Sequence, residues 1–408
     1  MKRMIVFGMA LLALGLAAGC WDVVPDDEGG EAQPIVLTKS QEAVMQQGND
    51  FAFNLLRESS REFSGMNLFL SPMGVTIVSS MLANGAQGQT YNEIVEAIGL
   101  KNYSLDQVND CYATLVTALY KADPKVSFSL ANSIWVAKDL SLKKKFRTSM
   151  ETTFDAESYS VDFGAAGTIK QVNDWCSKKT NGLIPKMFDQ LSPLTRMLLI
   201  DALYFKGDWV YSFAEEKTYE GDFQTLAGAK AQTKFMTMSR DLDVYQDKDV
   251  SIVKLPYGNG AFLMEAIMPN GDFAAFLSSL SLAQLQRWDQ AVRTARAELH
   301  FPKFTAEFDT DEGLVPVLQR LGMKRAFTEA ADFSNMSDES LYVSNFRQKT
   351  FIKLDEKGTE AAAVTVAEMR KNTSVGGGSL LLMFDRPFVY LIREKSTGAI
   401  LFIGTKIK

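Results

Sequence analysis

The texture of the chain changes near Met197, and this change restricts the fold more than any other feature. Before it, apolar residues recur at helical spacing. Val44, Phe51, Leu55 and Phe63 mark an amphipathic helix over 40–62. Ser71-Pro72 opens a second helix, ending near Asn84-Gly85, because a proline at the first helical position loses no needed hydrogen bond. Further helical stretches cover 90–98, 105–120, 143–153 and 168–179, with one alternating strand at 126–137. After Met197, short apolar or alternating runs follow one another between Gly, Pro and Asn: MLLIDALYFKGDW, TKFMTM, LDVYQD, VSIVKLPYG, AFLMEAIMP and RAELHFPKF. A helix at 311–321 interrupts them. LYVSNFRQKTFIKLDEK is a long strand candidate, and RPFVYLIRE and AILFIGTKI close the chain around a Ser396-Thr397-Gly398 turn. Helices first and strands later indicate an α+β fold. No linker divides the 408 residues after about residue 40, so a single large domain is expected over 40–408.

The first twenty residues stand apart. Lys2 and Arg3 precede an apolar run to Ala18, and Ala17-Ala18-Gly19-Cys20 closes it with small residues. This pattern reads as a secretory signal, too short for a comfortable membrane span. It resembles a bacterial lipobox, with Ala17 where that motif prefers leucine. Cys20 would then be the lipidated first residue, fixing the protein to a bacterial envelope membrane (outer membrane or cell surface). Plain signal-peptidase cleavage, giving a secreted or periplasmic protein, is the alternative. Residues 21–39 are acidic and rich in Pro and Gly, which suits a flexible tether.

Several function classes are disfavoured. The net charge of −6 argues against a nucleic-acid partner. The single histidine, His300, lies in an alternating run before a proline and reads as a strand-end residue rather than a general base. No HExxH, CxxC or phosphate-binding glycine loop occurs, so no metal or cofactor is implied and the chain does not read as an enzyme. Cys111 and Cys176 lack metal spacing and read as buried free thiols rather than a disulfide. The basic run 143–147 reads as a solvated helix face.

DEKGTEAAAVTVAEMRKNTSVGGGSLLLMF, near the C-terminus, fits neither core nor short loop. Taken as a strand, residues 359–370 place Thr359, Ala361, Ala363, Thr365, Ala367 and Met369 on one face. Glu360, Glu368 and Arg370 fall on the other. Taken as a helix, Thr359 could cap a strong Glu-Ala-Ala-Ala start, which Val364-Thr365-Val366 opposes. Both conformations stay open on propensity. Gly358 is expected to give the backbone freedom to turn.

These residues resemble the reactive-centre-loop hinge of the serpins. The resemblance extends from about Ser40 to the end, through NLFLSPMGVTIVSSMLANGAQGQTYNEI, VNDWCSKKTNGLIPKMF, LYFKGDWVYSF, LGMKRAFTEAADFSNMSDESLYVSNFRQKTFIKLDEKGTEAAA and DRPFVYLIREKSTGAILFIGTKIK. It implies one domain of three β-sheets and about nine helices, with an exposed loop at about 356–384. It implies suicide inhibition of serine endopeptidases, with cysteine endopeptidases as a second target class. The cleaved hinge enters the central sheet as a new strand while the acyl-enzyme is still attached. The partners implied are trypsin-like or elastase- and subtilisin-like proteases, with the inhibitor a monomer. The alternative is a non-inhibitory binding or carrier member.

By the same resemblance, Glu356 should pair with Lys303 near Trp209, with Gly358, Thr359, Ala361, Ala363 and Thr365 forming the hinge. Ser71, Asn173, Trp209, Lys303 and Gln348 belong to the sheet-opening region. Gly74 stands where a serine is usual, Asp201 where asparagine is usual and Gln348 where histidine is usual. The family's spacing from Glu356 places the reactive bond at Asn372-Thr373, with Met369, Arg370 and Lys371 as alternatives. Spacing back from Pro387 places it nearer Gly376.

Overall fold

A computed structural model describes residues 32–311, 313–359 and 379–408. Nine α-helices occur among them. They are α1 Lys39–Glu62, α2 Pro72–Gly85, α3 Gly88–Ala97, α4 Leu105–Ala122, α5 Lys144–Thr153, α6 Ala166–Lys179, α7 Phe273–Ser279, α8 Leu282–Ala291 and α9 Leu314–Arg320. The strands are β1 Leu68–Leu70, β2 Val126–Ala137, β3 Glu157–Val161, β4 Met197–Asp208, β5 Tyr219–Gln224, β6 Lys230–Gln246, β7 Val250–Tyr257 and β8 Phe262–Pro269. They continue with β9 Arg293–Pro302, β10 Phe304–Asp309, β11 Lys349–Leu354, β12 Gly358–Thr359, β13 Leu380–Met383, β14 Phe388–Glu394 and β15 Ile400–Lys406.

Hydrogen bonding groups the strands into two sheets. One has the order β1-β15-β14-β8-β7-β6-β9-β13, with β5 added to β6; the other has the order β10-β11-β12-β4-β2-β3. The third sheet expected from the family resemblance is continuous with the first, because β6 spans both. Its start pairs with β5, its middle with β9 and its end with β7. The runs TKFMTM and LDVYQD are therefore halves of one strand.

Helix α2 lies between the sheets, touching β4 and β15. Every residue of it except Asn84 is buried, as expected for a helix that is apolar all round. Its start is fixed by Ser71, whose hydroxyl accepts from the Gly74 N–H, with Pro72 next. Thr38 caps α1, and Leu37 just before it is already buried.

Helices α7 and α8 are not apparent in the apolar periodicity. Leu285 is the one buried residue of α8, so its hydrophobic stripe is thin. Leu282 and Trp288 pack half-buried beside it, and charge adds a further hold. Arg393 on β14 donates to Asp289 at 2.9 Å and also bonds Glu265 of β8. In the long strand candidate 341–357, β11 takes up 349–354, and the preceding residues have no ladder partner. The reason is visible on β4. One edge pairs with β2 from Val126↔Gly207 to Val136↔Met197, while the other carries β12 at Gly207 and Asp208 alone. Among the described residues, no strand follows below β12.

Candidate functional site: the top and the cleft of the six-stranded sheet

The short β12 is held from both sides. Gly358 pairs with Asp208 and Thr359 with Gly207 on β4, and Thr359 also pairs with Leu354 of β11. The turn before it is closed by Asp355 N–H donating to the Gly358 carbonyl at 3.0 Å. Gly358 does not adopt a positive φ, so the freedom to turn expected of it is not what this position uses. The requirement is close approach. A Cβ here would lie 2.2 Å from the Gly207 carbonyl oxygen and 2.6 Å from Asp208 Cα, both fixed backbone. Gly207 lies inside a strand, where glycine signals such proximity.

Trp209 organises this end of the sheet. Its indole N–H donates to the Asp355 carbonyl at 3.0 Å, and its backbone N–H donates to the Lys357 carbonyl at 2.7 Å. Its ring stacks on Tyr257 at 4.4 Å between centroids. The Tyr257 hydroxyl lies 2.6 Å from Thr359 Oγ1. Thr359 is 2 % exposed and Tyr257 fully buried. No pattern in KLPYG marks Tyr257 as a partner of the hinge; the contact arises from pairing distant in sequence.

Glu356 is 6 % exposed and meets Lys303 Nζ at 2.6 Å. Thr218 donates to its other oxygen at 2.8 Å. Burial pushes the Glu356 carboxyl up, but hydrogen bonds from Lys303 and Thr218 outweigh it and hold the carboxyl below its ordinary value. The stability this supplies is present above the ordinary carboxylate range and lost as pH falls through the lowered value. Lys303→Gln should therefore lower the stability of the hinge by about 1–2 kcal/mol, the ammonium's partial exposure tempering a larger loss. Faster hydrogen exchange at 355–359 and a flattened acid limb of the stability profile are the expected readouts. Unchanged exchange would show that the pair contributes nothing.

Lower in the sheet, Ser71 and Gln348 bond reciprocally. The Ser71 N–H donates to Gln348 Oε1 at 2.8 Å and Gln348 Nε2 donates to the Ser71 carbonyl at 2.9 Å. Asn173 on α6 holds the adjoining loop. Its Oδ1 accepts from the N–H groups of Met187 and Phe188 at 2.8 and 2.9 Å, and its Nδ2 donates to the Phe188 carbonyl. It thus fixes the loop of Met187 and Phe188, which line the same cavity as Gln348. Between β4 and residues 340–348 lies a cavity of about 270 Å³, lined by Gly74, Phe188, Met197, Asp201, Tyr342 and Gln348 among others. A Cβ on Gly74 would lie 2.1 Å from Asp201 Oδ2, so the missing side chain makes room for the carboxylate. Asp201 Oδ1 is sealed from solvent without a partner among the described residues, and burial pushes this carboxyl well above the usual range.

Ala361, Ala363, Thr365, Met369, Arg370, Lys371, Asn372, Thr373 and Cys20 lie outside the described residues. His300 is a strand residue of β9, with Nδ1 2.8 Å from the Tyr219 hydroxyl and Nε2 3.1 Å from Glu298. Cys111 and Cys176 are buried free thiols, each pushed up to about 12 by burial. Among the described residues no cluster suits a metal ion, and no helix is long and apolar enough to cross a membrane.

Two sheets enclose a buried helix, and a two-residue strand stands at the head of a cleft that has no other strand among the described residues. The serpin (serine protease inhibitor) family profile matches residues 46–408. Human thyroxine-binding globulin is 28% identical, covering 97% of each chain. Iripin-5 of Ixodes ricinus is 32% identical over 91% of this chain and 96% of its own. The native-state structure of the thermophilic serpin tengpin superimposes with a TM-score of 0.81 at 27% identity, covering 93% and 97% of the two chains. This chain belongs to the serpin family.

Proposed function

We propose that the protein is a suicide inhibitor of serine endopeptidases, with cysteine endopeptidases as a second target class. The observation that carries this reading is the placement of Gly358 and Thr359 between β4 and β11 at the head of a cleft whose β4 edge has no strand partner among the described residues. A protease nucleophile attacks the reactive bond, Asn372-Thr373 or one of its neighbours Met369, Arg370 and Lys371, and forms an acyl-enzyme. The chain from Thr359 onward then continues down the cleft, pairing with β4 and β11. Each backbone hydrogen bond gained contributes about 0.5–1.5 kcal/mol, and the small face of Ala361, Ala363 and Thr365 enters without overpacking. The uncleaved form is on this account a kinetic trap. Arg370 and Lys371 suit trypsin-like pockets and Met369 suits elastase- or subtilisin-like ones. Export with a lipid on Cys20 places the inhibitor on an envelope membrane, and no catalytic role is assigned.

The protein without residues 1–20, mixed with trypsin and with an elastase, is expected to give a denaturation-resistant complex by gel. Mass spectrometry of the released C-terminal peptide then identifies the bond. Clean cleavage without a complex across a wider protease panel would favour a carrier. That second reading is supported by the likeness to thyroxine-binding globulin, solved in complex with thyroxine, at a TM-score of 0.81.

A further inference from the structure

A second cavity, of about 340 Å³, opens beside the top of the sheet. Its charged lining residues are Lys234, Lys303, Lys353 and Lys406; the others are Gln232, Thr233, Phe304, Thr305 and Leu354. No carboxylate lines it, although the chain as a whole carries a net charge of −6. Two strand contacts place three of the lysines near one another. The Lys303 N–H donates to the Lys234 carbonyl at 2.8 Å, Lys353 lies opposite Thr305 between β10 and β11, and Lys406 lies on β15.

Lys406 is unusual among them. It is 5 % exposed, and its ammonium donates to the carboxyl oxygen of Lys408 and faces the rings of Phe223, at 4.3 Å, and Phe304, at 6.0 Å. Burial pulls its ammonium down to about 8. The remaining cations are weakly engaged. Lys353 reaches Asp355 at 3.6 Å, and Lys234 makes no ion pair among the described residues, with Glu220 opposite it on β5. Lys303 is the exception, because it holds Glu356.

We propose that this cavity binds a small multivalent oxyanion, a molecule bearing two or more phosphate or sulfate groups, and that the anion competes with Glu356 for Lys303. Four lysines in one lining that holds no carboxylate favour clustered negative charge over a single carboxylate. Because Lys303 is shared, occupancy weakens the Glu356 anchor, and by linkage release of the hinge strengthens anion binding. The binding step is independent of whether the loop traps proteases.

The test uses the exported chain and inorganic pyrophosphate as the probe, with sodium chloride at matched ionic strength as control. Saturable binding by calorimetry and faster hydrogen exchange at 355–359 are expected. Lys234→Gln and Lys353→Gln together should weaken binding at least tenfold without altering the fold, since both side chains are exposed. Lys406→Met, which keeps the stem's packing, should do the same. The absence of saturable binding, or equal affinity in the variants, would overturn the site. Binding with unchanged exchange at 355–359 would overturn the competition for Lys303.

Discussion

On the proposed function, Thr359→Arg is expected to turn the protein from a trap into a substrate: the loop is still cut, but the denaturation-resistant complex is lost. Thr359 is the first residue whose side chain occupies the slot between β4 and β11, and its hydroxyl faces Tyr257 at 2.6 Å in a fully buried setting. An arginine here must overpack the slot and carry an unpaired charge into it, two penalties of about 1–3 kcal/mol or more each. Insertion competes with hydrolysis of the acyl-enzyme, and each 1.4 kcal/mol added to the insertion step shifts that competition about tenfold. The complex yield should therefore fall by roughly two orders of magnitude or more. Thr359→Ser, which keeps the hydroxyl, should trap normally. Normal trapping by Thr359→Arg would mean that the cleft is not the route taken.

Asp201→Asn should stabilise the uncleaved form, by about 1–3 kcal/mol, the cost of a sealed polar atom without a partner. Asn132, directly across from Asp201 in the β2–β4 register, carries an Oδ1 that also lacks a partner among the described residues. The new amide offers it a donor. The pH dependence gives a second readout. The folded carboxyl titrates above its unfolded value of about 4. The folded chain thus retains a proton that the unfolded chain releases, and stability is greatest below the unfolded value and declines as pH rises through the raised one. The variant should lack this decline. Denaturant midpoints for both proteins from pH 4 to pH 8 would show it, and parallel curves would remove Asp201 as the cause.

Much of this was legible in the sequence because it is local. Ser71-Pro72 marks a helix start wherever it occurs, and α2 begins there. Strands such as β14 and β15 announce themselves as continuous apolar runs, and every residue in them is buried. The failures share a different cause. Helix α8 has a thin apolar stripe and docks through Arg393 and Asp289, which are far apart in sequence. The segment before β11 has strand composition but no neighbour to pair with among the described residues, and pairing rather than propensity decides whether a ladder exists. At the candidate site, Lys303 and Glu356 were indicated by the family resemblance. Tyr257 and Thr218 reach the hinge through tertiary geometry that no spacing records. Gly358 carried a legible signal with the wrong physical reason attached, since proximity to Gly207, and not a left-handed backbone, is what the position requires.

That proximity has a consequence for what the cleft will admit. At its entrance the fold inspects main chain rather than side chain, because even a methyl group would collide with the Gly207 carbonyl and Asp208 Cα. A foreign peptide of suitable β-propensity but lacking glycine at that register is turned away by backbone collision before any of its side chains can be sampled. The doorway works as a gauge set to the narrowest residue in the alphabet, and the chain's own hinge carries the matching key.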